Sequence, residues 1–292
     1  MGESVRSPKN PWLTAAILFT AALLNAPAVV VWAQAPAAAP SPMKRMPDEA
    51  DPTFEVATIK PNESGAANIQ MFRFGQNDFE TRNSSLVDLI ARAYGVQARQ
   101  ITGGPEWMSH ERYDIRAKTD IEGVPNPAQV RSLVGKLLVD RFGLTFHKDK
   151  RQMSAYVLTV VKTGSKLKRT EFNGPGMSFG VVPKPTGATL LMRNGTLSDF
   201  SEVLQSMVLD RPVVNDTGLT DHYDFAVTFM PDDSQFNGHP PVLNGQAPKP
   251  DAPDAAASLF EAIQQQLGLK LEAQKTAVDV IVIDHVDKPS AN

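Results

Sequence analysis

The residue triplet with the most pointed chemical meaning is Asp216-Thr217-Gly218. In aspartic proteases such a triplet supplies one of two carboxylates that share a proton across a dyad. A second copy is required, and the parallel stretch of this chain reads Ile101-Thr-Gly-Gly104, without a carboxylate. The residue after Gly218 is leucine, where those enzymes usually place alanine or serine. An Asp/Gly β-turn accounts for the triplet. The five histidines, His110, His147, His222, His239 and His285, show neither an i, i+4 pair nor the close carboxylate spacing of metal ligands. The densest group, Asp221-His222-Tyr223-Asp224, sends neighbouring side chains to opposite faces if it is a strand. No Gly-x-Ser-x-Gly elbow or Ser-x-x-Lys pattern activates a serine. Thr102-Gly-Gly-Pro-Glu106 leads into Trp107, not into a phosphate-cradling Gly-Lys-Thr helix. No catalytic, cofactor-binding or metal-binding residue is therefore assigned, and no cofactor is expected.

Trp107 is the one side chain singled out for recognition. It is the only tryptophan after the leader and lies in a Gly/Pro-flanked loop, where an aromatic can anchor a partner or pack beneath its own domain. Basic residues cluster at 147–151, read as a hairpin tip, and at 162–169, read as a connection between two halves.

Composition narrows the classes. The chain has 292 residues, 42% hydrophobic and 21% charged, which is globular and excludes a disordered or multispanning chain. A formal charge of −3 gives no general field for binding a polyanion, nucleic acid included. The absence of cysteine excludes disulfides, thiolate metal sites and a cysteine nucleophile.

The elements that must position any site follow from caps and periodicity. Arg6 and Lys9, the apolar stretch Leu13–Trp32 and the exit Val31-Trp32-Ala33 form a secretory signal over 1–33. The alternative is a retained anchor. Cleavage leaves a mature chain beginning near Gln34, exported to the periplasm or beyond, with no stable membrane span. Residues 34–52 read as a Pro/Ala-rich linker. Four amphipathic helices then open on oxygen-bearing caps at Ser85, Asn126, Thr196 and Ser258, each with an acid or amide three residues on. Three of them stop at Gly95, Gly143 and Gly268, while the third ends before Arg211-Pro212. Tyr156-Val-Leu158 aligns with Ile281-Val-Ile283, Arg82-Asn83 with Arg193-Asn194, and Tyr113-Asp114 with Tyr223-Asp224. These repeats predict an α+β protein of two tandem βαβ-like modules, 53–165 and 178–288, each with two amphipathic helices packed on small mixed sheets. The second module carries an insertion, 231–257, whose six prolines and lack of periodicity predict a flexible loop.

The stretches FEVATIKPN, LVDLIARAYGV, ITGGPEW, RYDIRAK, LLVDRFGLTFH, DRPVVNDTGLTDHYDF, SLFEAIQQQLGLKLEAQK and VIVIDHVDKPS resemble a large paralogous family of uncharacterised exported proteins from soil acidobacteria. The resemblance covers about 53–290 and implies location and architecture without chemistry, because that family is a domain of unknown function. In some of its members a similar domain is fused to membrane metallopeptidases of the beta-lactam-sensor type, which implies a sensory or accessory role. Each module is also distantly similar to the short N-terminal domain of secretins and TonB-dependent receptors, in which a helix–Gly-Leu–strand passage is typical. Gly143-Leu144 and Gly268-Leu269 fit that passage; the third helix, without a terminal glycine, does not. The expectation is an exported, non-enzymatic binding or scaffolding protein of the cell envelope, with a protein, a peptide or an envelope polymer as partner. The alternatives are a hydrolase of envelope or extracellular polymers and an accessory sensor domain of a membrane peptidase or receptor system.

Overall fold

A computed structural model of the chain describes residues 44–66, 71–172, 174 and 176–289. The expected secretory signal, 1–33, and the start of the expected linker fall outside these residues. Among the described residues no helix is long and apolar enough to cross a membrane.

The first half begins with β1 (Phe54–Pro61), β2 (Met71–Phe74) and β3 (Asp78–Ser85). The helix α1 (Leu86–Tyr94) follows, then β4 (Ile101–Gly103), a single-turn α2 (Trp107–His110) and β5 (Arg112–Thr119). The helix α3 (Pro127–Phe142) leads into the long strand β6 (Thr145–Val160). The second half runs β7 (Lys168–Arg169), β8 (Ser178–Lys184), β9 (Gly187–Gly195), α4 (Leu197–Val203), β10 (Val213–Asn215), β11 (Tyr223–Phe229), α5 (Leu259–Ala262) and β12 (Leu269–His285). Both α4 and α5 continue into a π-helical turn, over Leu204–Val208 and Ile263–Leu267.

The chain is thus a mixed α and β protein with three four-stranded sheets. Two are antiparallel, in the orders β1-β5-β3-β2 and β7-β11-β9-β8. The central sheet is mixed, in the order β10-β6-β12-β4. Its core is a two-stranded ribbon in which β6 and β12 run antiparallel along their whole length, from Leu269 opposite Val160 to His285 opposite Thr145. At about 3.3 Å per residue the ribbon is about 50 Å long. The two short strands lie on its outer edges, parallel to the strands they join. Val213–Asn215 of the second half sits beside Tyr156–Leu158, and Ile101–Gly103 of the first half beside Ile281–Ile283.

Local chemistry explains where the helices begin. Ser85 Oγ accepts from the Asp88 N–H at 3.1 Å while Asp88 accepts from the Ser85 N–H at 2.9 Å. The Asn126/Gln129, Thr196/Asp199 and Ser258/Glu261 pairs close the same reciprocal box. The apolar faces fill two cores. The first gathers Phe79, Leu86, Leu89, Ile90, Ile115, Val134, Leu137 and Phe142 under the first sheet, together with Ile281 and Ile283 from β12. The second gathers Leu190, Leu197, Phe200, Val227, Phe229, Leu259 and Ile263, together with Tyr156 and Leu158 from β6.

Four local expectations change. Residues 147–151 lie in the body of β6, not at a hairpin tip. Their side chains are solvated because this half of the strand carries no neighbour on its outer edge, so charge is tolerated there without a turn. Within 162–169, Lys168 and Arg169 pair with β11 as an edge strand. The described end of the linker is docked: the Met46 N–H donates to Val124 O at 3.1 Å, Met46 is 4% exposed, and Gln129 Nε2 donates to Pro47 O and Ala50 O. A segment without apolar period is held here by amides, which periodicity does not register. In the proline-rich stretch 231–257, Gln235 is buried and the Phe236 ring stacks 6.2 Å from Phe229, so this part touches the second core.

Candidate functional site

On the ribbon a half-open cleft of about 470 Å³ is walled by the end of α1, by α4 with its π-helical turn, by β10 and by the middle of β12. Its volume is that of a small-ligand site. The walls meet through backbone-directed amides. Gln97 Nε2 donates to Gln205 O at 2.7 Å and to Leu209 O at 3.1 Å. Gln205 returns the contact, donating to Gly95 O and accepting from the Val213 N–H at 3.0 Å. Gln100 Nε2 ties the turn after α1 to the ribbon through Asp279 O at 2.9 Å. The four walls are therefore joined by side chains that satisfy main-chain groups.

Two lysines and two acids line the cleft, Lys148, Lys150, Glu202 and Asp279, and they are paired unevenly. Lys150 pairs with Asp279 at 2.8 Å, and Glu202 pairs with Arg131. Lys148, on the same strand as Lys150, has no carboxylate within 4 Å among the described residues. Neutral polar groups complete the lining: Asn215 Nδ2 donates to Ser198 Oγ at 3.2 Å, and Ser201 forms part of the wall. Ser201 is 4% exposed and its Oγ has no hydrogen-bond partner. Tyr94 closes one side, its ring 4.7 Å from Phe146, and burial raises its phenol above the ordinary value. Lys148, exposed and with no carboxylate within 4 Å among the described residues, is the cation of this lining that is open to a small anion.

The residues singled out in the sequence lie elsewhere. Trp107 sits on α2 against the first core, half-buried, with Lys288 Nζ 5.8 Å from its ring centre. It does not line the cleft. Asp216-Thr217-Gly218 forms the turn that leaves β10: Thr217 Oγ1 donates to Asn215 Oδ1 at 2.7 Å and Gly218 has a φ of +68°. The histidines are dispersed. His147 contacts Asp284 at 2.8 Å and His285 contacts Asp287 at 2.9 Å, while His110 and His239 meet main-chain carbonyls. Among the described residues no three histidine or acidic side chains converge as a metal site would need. Lys148, Gln205 and Asn215 were not singled out from sequence. They come from two distant stretches, Lys148 on β6 and Gln205 with Asn215 ten residues apart, and the only local signal was the basic run containing Lys148.

Architecture and site together define a mixed α/β protein whose long ribbon carries an open polar cleft. The chain belongs to a family described as a protein of unknown function (DUF3738), which matches residues 87–286. No curated protein and no solved structure matches the chain.

Proposed function

We propose that the chain is an exported, non-enzymatic binding protein of the cell envelope and that the cleft on its ribbon seats a small carboxylate-bearing ligand such as a peptide C-terminus. The observation that carries this reading is Lys148, a cation without a counter-charge in a cleft whose other ions are paired. An anion placed there gains a charge-assisted contact at no cost to an existing pair. Export rests on the leader at 1–33.

The same proposal treats 53–165 and 178–288 as two copies of one module. Asn83 and Asn194 both adopt left-handed backbone, with φ of 58° and 50°, just ahead of a capped helix. Their N–H groups donate to equivalent carboxylates, Asp114 at 3.0 Å and Asp224 at 2.7 Å. An aligned pair of short strands, β4 and β10, each joins the long strand of the other half. Such an exchange makes one seam from two copies, and the cleft lies on that seam.

The test is a thermal-shift screen of residues 34–292 against N-acetylated dipeptides and short dicarboxylates, with mass analysis of each compound after incubation. A compound that raises the midpoint of the natural protein but not of Lys148→Glu, and that is recovered intact, supports the reading. Recovery of a cleaved product, or shifts that survive Lys148→Glu, would overturn it.

A further inference from the structure

A second surface, away from the cleft, has an unusual charge arrangement. The first sheet turns Phe54, Phe72, Phe74 and Phe79 into the core on one side. Its other side is polar, and its centre is Glu80, whose side chain is 11% exposed. Arg73, Glu80 and Arg116 are direct cross-strand partners on β2, β3 and β5, and Arg82 stands two residues along β3. Arg73 Nη2 lies 3.1 Å from Glu80 Oε2, while Arg82 Nη2 and Arg116 Nη2 each lie 3.0 Å from Oε1. One carboxylate thus orients three guanidinium groups, whose side chains remain 57%, 47% and 72% exposed. A guanidinium has five N–H donors, so each arginine keeps donors that face solvent. Exposed Lys60 and Lys118 extend the face; the other acids paired across it are Asp78, whose Oδ2 lies 3.7 Å from Arg73 Nη2, and Asp114. Cations remain in excess on a chain whose formal charge is negative.

The fold does not require this cluster. The corresponding central row of the other antiparallel sheet is Gly180, Leu191 and Ala226, which holds the same three-strand pairing without an ion. We propose that the first sheet's open face docks an acidic polysaccharide, with Arg73, Arg82 and Arg116 held as a row of forks for its carboxylate or sulfate groups. This goes beyond the cleft reading and stands without it. The sheet's phenylalanines all point into the core, so the face offers no rings for stacking nucleic-acid bases and no aromatic anchors for a bilayer. Val56 is its one large exposed apolar side chain, too little for an apolar protein interface. What remains is an array of planar cations oriented by Glu80, which matches bidentate anions repeated along a chain.

The test measures binding of residues 34–292 to polygalacturonate and to heparin at low and high salt. Expected is binding that weakens with salt and falls at least tenfold in Arg73→Gln/Arg116→Gln. Lys60→Gln/Lys118→Gln, which leaves all the ion pairs of Glu80 intact, should lose about threefold and serves if the arginine variant does not fold. Lys166→Gln/Lys168→Gln, a distant basic pair, should bind as the natural protein does. No binding to either polymer, an equal loss in the distant pair, or no loss in the two sheet variants would overturn the proposal. So would binding as tight to phosphatidylglycerol vesicles or to single-stranded DNA.

Discussion

Glu80 is a nearly buried carboxylate whose protonation would leave three arginines without their shared partner. The hydrogen bond from Arg82 is the largest cause, with Arg73 and Arg116 adding to it against desolvation, and together they lower its pKa from 4.5 to about 2. A carboxyl lowered in the folded state stabilises fully above its unfolded value and loses that contribution as pH falls toward the folded one. The difference in thermal midpoint between the natural protein and Glu80→Gln should therefore be constant above about pH 5 and shrink between about pH 4.5 and pH 2. A difference that stays flat through that window would show that Glu80 is not the group titrating. Ser201 makes the opposite case. Its hydroxyl is buried in a helix with no partner, and such a group costs about 1 kcal/mol or more. Ser201→Ala, which also favours helix, should raise stability by about 1 kcal/mol in urea unfolding. A loss instead would mean that the hydroxyl is satisfied in solution.

Elements are delimited here by short-range devices, and two of them look interchangeable in sequence yet differ in surroundings. Gly143 and Gly268 both end a helix in left-handed backbone, with φ of 57° and 68°. A Cβ on Gly143 would meet side chains alone, the Asp287 carboxylate at 3.2 Å and, in ordinary contact, the His285 ring at 3.9 Å. One on Gly268 would meet Gly164 O at 2.5 Å and Lys166 N at 2.8 Å, both main chain. Gly143→Ala should cost about 1 kcal/mol for the backbone conformation alone. Gly268→Ala should cost about 3 kcal/mol or more, because strain in the Gly164–Lys166 passage is added. Denaturant midpoints of the two variants decide the order, and equal losses would refute the crowding argument.

At the scale of the molecule, the decisive feature is the exchange of material between halves. The first core contains Ile281 and Ile283, and the second contains Tyr156 and Leu158. Each half by itself would hold a strand of sixteen or seventeen residues without its ribbon partner. A lone long strand exposes both rows of main-chain groups and apolar side chains. Fragments 44–165 and 166–289 should therefore show no cooperative melting when produced separately, and should recover it when mixed. A cooperative transition in either fragment alone would show that the halves are autonomous domains.

The sequence by itself determined the helices' starts and the class of the chain. A cap and its partner lie three residues apart, so Ser85–Asp88 and Thr196–Asp199 carry their geometry with them. The ends at Gly95, Gly143 and Gly268 are equally local, since only glycine enters left-handed backbone freely. Strand pairing is not local. Leu269 meets Val160 and Ile281 meets Ile101, contacts that no spacing encodes. That is why 147–151 read as a turn: a strand half solvated on both faces has lost the alternation that marks strands. The cleft was hidden for the same reason, as Lys148, Gln205, Asn215 and Asp279 converge from separate segments. Which side chains share a space was decided only when the two halves closed on one ribbon, because burial and charge pairing act through distance in space and not along the chain.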